Sequence, residues 1–283
     1  LNGIAAAVYE GGALRCPALF VLAARVQGMQ SDLKAGEYEI AAGASAQEIL
    51  NQMRAGKVFL RAVTIPEGRT SYEIVEVLKN VADLSGEIKD VPAEGSLLPE
   101  TYTYERNEER SAVLGRMQAA MTETMAELWP LRAADLPVKN EAEAIILASI
   151  VEKETGVAEE RKRIAGVFIN RLRKGIALQT DPTIIYALTQ GKPENDGQGP
   201  LGRRLLKKDL ELDSPYNTYL HPGLPPGPIA NPGRAAVEAV LQPEVHDFLF
   251  FVADGSGGHV FAKTLEEHNK NVQEWREIRE EQH

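Results

Sequence analysis

The chain has 283 residues, 43% hydrophobic and 25% charged, a globular mix that excludes disordered and fibrous classes and leaves room for two domains. A formal charge of −10 argues against nucleic-acid binding, because phosphate recognition rests on clustered Lys and Arg. The one cysteine, Cys16, excludes an internal disulfide and a Cys-based zinc site, and no apolar run reaches the ~20 residues of a membrane span.

The first residue is Leu1 rather than Met, which fits removal of an upstream signal or anchor. The run from Cys16 to Val26 is interrupted by Arg25 and reads as a packed amphipathic helix. Lys34 to Ile40 reads as a strand. Ser45 to Met53 follows as a helix in which Ser45 and Glu48 form a capping box. Leu60 to Ile65 reads as a second strand, Pro66 to Gly68 as a turn, and Thr70 to Leu78 as a helix capped by Thr70 with Glu73. The result is a small α+β module over residues 1–90. The Gly-, Pro- and acid-rich stretch from Asp83 to Ser96 marks a boundary, and residues 91–283 form a second domain.

Helices are predicted over Ala112 to Leu131 and Glu141 to Thr155, the latter capped by Asn140 with Glu143 and stopped by Gly156. A third runs from Ala158 to Lys174 and ends at Gly175, with Arg171, Arg173 and Lys174 complementing its negative end. Arg161, Lys162 and Arg163 beside Glu159 and Glu160 read as a solvated face. Gln190 to Arg204 holds four glycines and two prolines and reads as a mobile loop or flap. Pro222 to Gly233 reads as a rigid irregular wall, Phe248 to Ala253 and His259 to Ala262 as a hairpin, and Thr264 with Glu267 as the cap of a last helix. The fold class is α+β.

The helix Glu141 to Thr155 is apolar nearly all round, as in a helix buried at a domain centre, and two carboxylates end it. A carboxyl at the negative end of a helix in apolar surroundings has its charged form disfavoured, which suits a general acid. Glu152 and Glu154 point roughly 200° apart at ~100° per residue, so only one can line a cleft. Glu154 continues the bulky face of Leu147, Ile150 and Val151 and is the favoured one. The alternative, that both fray into solvent at a helix end, stays open from pattern alone. Rival chemistries have less support: the Gly255 to His259 segment lacks nucleophile-elbow spacing and reads as a hairpin turn, and the histidines form no H-E-x-x-H pair.

Six blocks carry a resemblance: Leu98 to Tyr102, Ala148 to Thr155, Val167 to Leu172, Leu178 to Thr183, Tyr216 to Tyr219 leading into Gly223 to Gly227, and Phe251 to His259. In this order they resemble the endolytic murein transglycosylase (YceG-like) family over nearly the whole chain. Two departures are a longer, more Gly-rich Gln190 to Arg204 and the less aromatic Ser96-Leu97-Leu98. The resemblance implies a LysM-like N-terminal module and a lytic transglycosylase domain with Glu154 as its single catalytic acid/base.

The implied reaction cleaves the MurNAc–GlcNAc bond within peptidoglycan strands and leaves 1,6-anhydroMurNAc ends, with neither metal nor cofactor. Gln179, Thr180, Asp181, Tyr216, Asn217 and Tyr219 are implied to bind the sugars, although Asp181 before Pro182 also reads as a helix cap. Glycan strands and cell-wall synthases (penicillin-binding proteins) are the implied partners. The implied location is the periplasmic face of the inner membrane, reached through an anchor absent from this chain. A lysozyme-like hydrolase and a noncatalytic glycan-binding scaffold remain the alternatives.

Overall fold

The computed structural model of the protein describes residues 1–193 and 200–281. It is a mixed helix and sheet structure, the α+β class expected, and divides into two compact units. The first unit comprises Leu1–Val63, Val81–Gly86 and Tyr102–Glu109, and the second Thr64–Asn80, Glu87–Thr101 and Arg110–His283. The chain passes between the units several times. The segment that reads as a linker, Asp83 to Ser96, contributes to both.

In the first unit α1 (Asn2–Glu10), α2 (Pro17–Val26) and α3 (Ala46–Ala55) pack around Phe20, Ala24, Ile49 and Leu50, all almost fully buried. Ser45 and Glu48 make the reciprocal capping box that their spacing predicts. Lys34 to Ile40 is not a strand. Gly36 there takes φ +151° and lies so close to Val58 that a β-carbon would clash, and Glu37 makes one backbone bond to Phe59 before the path turns away. Strands do form at β1 (Arg61–Thr64), β2 (Leu84–Ser85), β3 (Thr101–Tyr104) and β4 (Glu108–Glu109). β1 pairs with β3, and β2 runs parallel to β4 with Leu84 opposite Glu108.

In the second unit α4 (Ser71–Lys79) starts at a Thr70/Glu73 capping box. α5 (Arg110–Leu128) leads to α6 (Glu141–Glu154), whose first turn is closed by the Asn140 side chain accepting from the Glu143 amide at 2.9 Å. α6 packs against α7 (Arg161–Lys174), α8 (Asp181–Thr189) and α9 (Arg234–Leu241), with Leu147, Ile150 and Val151 wholly buried. Burial of each such side chain contributes about 1.5–3 kcal/mol, so α6 is held by packing rather than by its ends. It stops at Glu154, not at Gly156. Thr155 turns extended and its hydroxyl accepts from the Val157 amide at 2.9 Å, a local turn that redirects the chain.

The Pro/Gly wall is tied to this core by two buried side chains. The Ser149 hydroxyl, on α6, accepts from the Ile229 amide at 3.0 Å. Asn231 is completely buried: its amide oxygen accepts from the Leu97 amide at 3.0 Å, and its nitrogen donates to the Arg69 carbonyl, the Ser71 hydroxyl and Glu94 at 3.0–3.1 Å. β5 (Phe250–Ala253) and β6 (His259–Ala262) form the expected antiparallel hairpin, and α10 (Leu265–Glu281) packs on both strands. The central residues of the flap expected over Gln190 to Arg204, numbers 194–199, lie outside the described residues.

Candidate active site

Glu154 ends α6 where the α8 N-terminus, the segment before it and the β5 hairpin converge. Its carboxylate lines a groove of roughly 380 Å³ together with Arg171, Gln179, Asp181, Tyr219 and His268, walled by Phe168, Phe250 and Phe251. Phe168 and Phe251 meet edge to face at 5.8 Å, so the wall beside the acid is a packed aromatic surface. The Thr180 hydroxyl donates to Glu154 Oε1 in a short hydrogen bond. Burial raises the Glu154 pKa to about 7. The Thr180 bond opposes the rise, the Asp181 charge adds to it, and His259 and Arg171 oppose it more weakly. A carboxylic acid is thereby kept half-protonated near neutrality.

The neighbours of Glu154 are fixed by backbone devices. Gln179 holds φ +50°, a left-handed conformation that a non-glycine side chain adopts at a cost of order 1–3 kcal/mol, and its amide donates to the Thr218 carbonyl at 3.0 Å. Thr218 Oγ1 accepts from the Thr180 amide at 3.1 Å and meets the Thr183 hydroxyl at 2.9 Å, so Thr180 is clamped at the height of the acid. Thr180, not Asp181, is the N-cap residue of α8, and its side chain serves Glu154 instead of capping. Asp181 is thus not the helix cap its position before Pro182 implied. It accepts from the Tyr219 hydroxyl at 2.6 Å, and burial holds that phenol protonated.

The sequence-nominated residues therefore divide. Gln179, Asp181 and Tyr219 line the groove with Glu154, and Thr180 touches the acid. Asn217 does not line it: its side chain is fully buried, with the amide nitrogen donating to the Leu210 and Leu212 carbonyls and the oxygen accepting from the Tyr219 amide. Tyr216 also lies outside the groove lining, its ring 5.0 Å from that of Tyr186. The nominated Tyr-Asn-Thr-Tyr block supplies one groove residue and a turn that holds it.

Three groove features were not nominated as site residues from the sequence. Arg171, read as complementing the negative end of α7, is buried. Its guanidinium donates to the Leu249, Ala177 and Leu178 carbonyls at 2.6–3.2 Å, fixing the hairpin and the approach to Gln179. His268 reaches the groove from α10, and Phe250 and Phe251 from β5. Behind them, His259 Nδ1 and Glu160 Oε2 are 2.7 Å apart and the His259 amide donates to the same carboxylate at 2.9 Å, tying the hairpin to the turn before α7.

Glu152 points elsewhere. Its side chain is 5% exposed; it accepts from the Gly233 amide at 2.9 Å, at the start of α9, and lies 3.8 Å from Arg161. Arg161, read as part of a solvated face, is itself only 12% exposed. A β-carbon at Gly233 would displace the Glu67 carboxylate, the flexible end of a partly exposed side chain.

Fold and site define an α+β protein whose groove is served by one proton-holding carboxylic acid at the end of a buried helix. The chain belongs to the YceG-like family, whose sequence model matches residues 1–274. It is 33% identical over 272 residues to a Bacillus subtilis (strain 168) protein named endolytic murein transglycosylase, covering 85% of this chain and 72% of that one. A Streptococcus pneumoniae serotype 2 protein of the same name is 30% identical over 296 residues, covering 86% of this chain and 51% of the relative, so the chain spans about half of that protein's length. The crystal structure of a yceG-like protein from Listeria monocytogenes superposes with a TM-score of 0.59 at 31% identity, covering 95% of this chain and 94% of that one.

Proposed function

We propose that this chain is an endolytic peptidoglycan lytic transglycosylase in which Glu154 is the only catalytic acid/base. The observation that carries the reading is a carboxylic acid of pKa about 7 on the floor of a groove with aromatic walls. In its protonated form Glu154 donates to the oxygen linking MurNAc to GlcNAc as that bond breaks and an oxocarbenium-like sugar forms. As a carboxylate it then takes the proton of the muramyl 6-hydroxyl, which closes on C1 to give a 1,6-anhydro end. The intramolecular hydroxyl takes the place of water, so no second carboxylate is needed. Thr180 orients the acid and lowers its pKa from what burial alone would impose. Gln179, Asp181 and Tyr219 bind the sugars, and Asn217 holds Tyr219 in place.

A lysozyme-like hydrolysis is favoured by one observation, the presence of Asp181 in the same groove. Against it, that carboxylate is engaged by the Tyr219 hydroxyl. Mass spectrometry of purified murein incubated with the protein separates the readings: anhydro ends are lighter by one water than reducing ends. Reducing ends would establish hydrolysis and overturn the proposal, and unshortened strands would leave a glycan-binding scaffold. The first 90 residues are proposed as a LysM-like glycan-binding module and residues 91–283 as the catalytic domain. The proposed location is the periplasmic face of the inner membrane, held by an anchor outside this chain and near the penicillin-binding synthases. None of the helices among the described residues is long and apolar enough to cross a membrane.

A further inference from the structure

Several polar groups of the groove are already committed within the protein. The Tyr219 hydroxyl donates to Asp181, and Arg171 spends Nε and Nη1 on backbone carbonyls. The Glu154 proton is reserved for the glycosidic oxygen. An N-acetylhexosamine brings an acetamido carbonyl that loses its water on entering such a groove, and leaving it without a donor would cost about 1–3 kcal/mol. Besides the Gln179 amide and Nη2 of Arg171, the remaining polar side chain in the lining is His268.

His268 is held flat against Phe250, ring centroids 5.2 Å apart and planes 22° from parallel, and it lies on the inner face of α10 one turn after Leu265, which also lines the groove. Its Nδ1 is buried and has no hydrogen-bond partner among the described residues. A dry nitrogen without an acceptor tolerates a lone pair better than an N–H, since orphaned buried donors are the rarer defect. The proton of the neutral ring then belongs on Nε2, the nitrogen left for the groove side. Charging the ring would put a second N–H on the dry Nδ1 and is disfavoured. Burial, and to a smaller degree the Arg171 charge 5.1 Å from the centroid of the same Phe250 ring, lowers the His268 pKa in the same sense. The charged or titratable groups lining the groove with it are Glu154, Arg171, Asp181 and Tyr219.

We infer that His268 is a sugar-contacting residue: a neutral imidazole, locked in the Nε2–H tautomer by its dry Nδ1 and by Phe250, that donates to the acetamido carbonyl of a bound N-acetylhexosamine. The inference rests on the glycan reading above and deepens it. His268 contributes recognition, not proton transfer.

The test uses the full chain with ¹⁵N-labelled histidine and N,N′,N″-triacetylchitotriose as probe. Long-range ¹H–¹⁵N spectra at neutral pH are expected to show the Nε2–H tautomer for His268 and to shift at Nε2 on adding the trisaccharide. On murein, H268F keeps the stacking ring but no donor and should lower kcat/KM about tenfold, whereas H268Q returns an amide N–H near the Nε2 position and should stay within about threefold of wild type. An Nδ1–H tautomer, an imidazolium, or a His268 signal unmoved by millimolar trisaccharide would overturn the inference, as would equal activity of H268F and wild type. Absence of any cleavage by wild type would sink the transglycosylase reading, while the tautomer and the trisaccharide shift would still decide the role of His268.

Discussion

The two sides of the end of α6 hold carboxylates two residues apart, and burial raises the pKa of both Glu152 and Glu154. On the Glu152 side the carboxylate is met by a backbone amide at the start of a helix and by a buried arginine, partners that cannot leave. On the Glu154 side it is met by a threonine hydroxyl, and its remaining surface faces an open groove. A raised pKa alone therefore does not distinguish a working acid from a structural one. The distinction lies in whether the partners are fixed by the backbone or leave a face for a ligand.

The largest effect should come from removing the proton on the groove side. E154Q keeps the shape and loses the titrating group, so strand cleavage should fall at least about a hundredfold, read as released anhydro-muropeptides. The same variant carries a stability signature. Because the folded-state pKa is about 7 and the ordinary value 4.5, wild type binds more protons folded than unfolded between those values. Its stability is fully present below about pH 4.5 and is lost as pH rises through 7, by ~3 kcal/mol. Melting curves of wild type and E154Q should differ least near pH 4.5, with E154Q the more stable at pH 8. Coincident curves at pH 8 would show that the acid is not desolvated.

On the other side, E152A should destabilise by about 1–3 kcal/mol, since the Gly233 amide loses its acceptor and Arg161 an ion-pair partner, while kcat of the folded fraction changes less than twofold. Loss of cleavage at unchanged stability would reverse the assignment of the two carboxylates. N217A sharpens the distinction within the nominated binding set. Two buried carbonyls lose their donor, so stability should drop by about 1–2 kcal/mol, visible in denaturant titration. The smallest change belongs to T180V. Removing a donor that lowers the Glu154 pKa should move the alkaline limb of the pH–rate profile upward by a fraction of a unit, and a downward shift would contradict the hydrogen-bond direction seen here.

How much of this was legible in the sequence depends on the range of the interaction. Both capping boxes, the Asn140 cap, α6 and the β5–β6 hairpin were readable because their partners lie within a few residues. The opposed directions of Glu152 and Glu154 follow from helix geometry and were readable too. Lys34 to Ile40 misled because alternation survives where Gly36 breaks the ladder. Asn217 and Tyr216 were nominated by resemblance and residue type, but neighbouring residues in a turn point different ways. Phe250 and His268 were not nominated, because only the packing of the hairpin onto α7 and of α10 onto the hairpin brings them to the acid.

Asn231 has a consequence for the order in which the second unit comes together. One amide joins Leu97, Arg69, Ser71 and Glu94, the farthest of them 162 positions away along the chain, so the wall beside α6 cannot be completed locally. Loop closure over that span must precede any reward from those bonds, which places the wall late in folding and makes its opening concerted. In native-state hydrogen exchange the amides of Leu97, donating to its side chain, and of Gly68, donating to its carbonyl, should lose protection together, with one opening free energy for both. N231A should uncouple them, so that Gly68 exchanges as a frayed turn while α6 keeps the slow rate of the core.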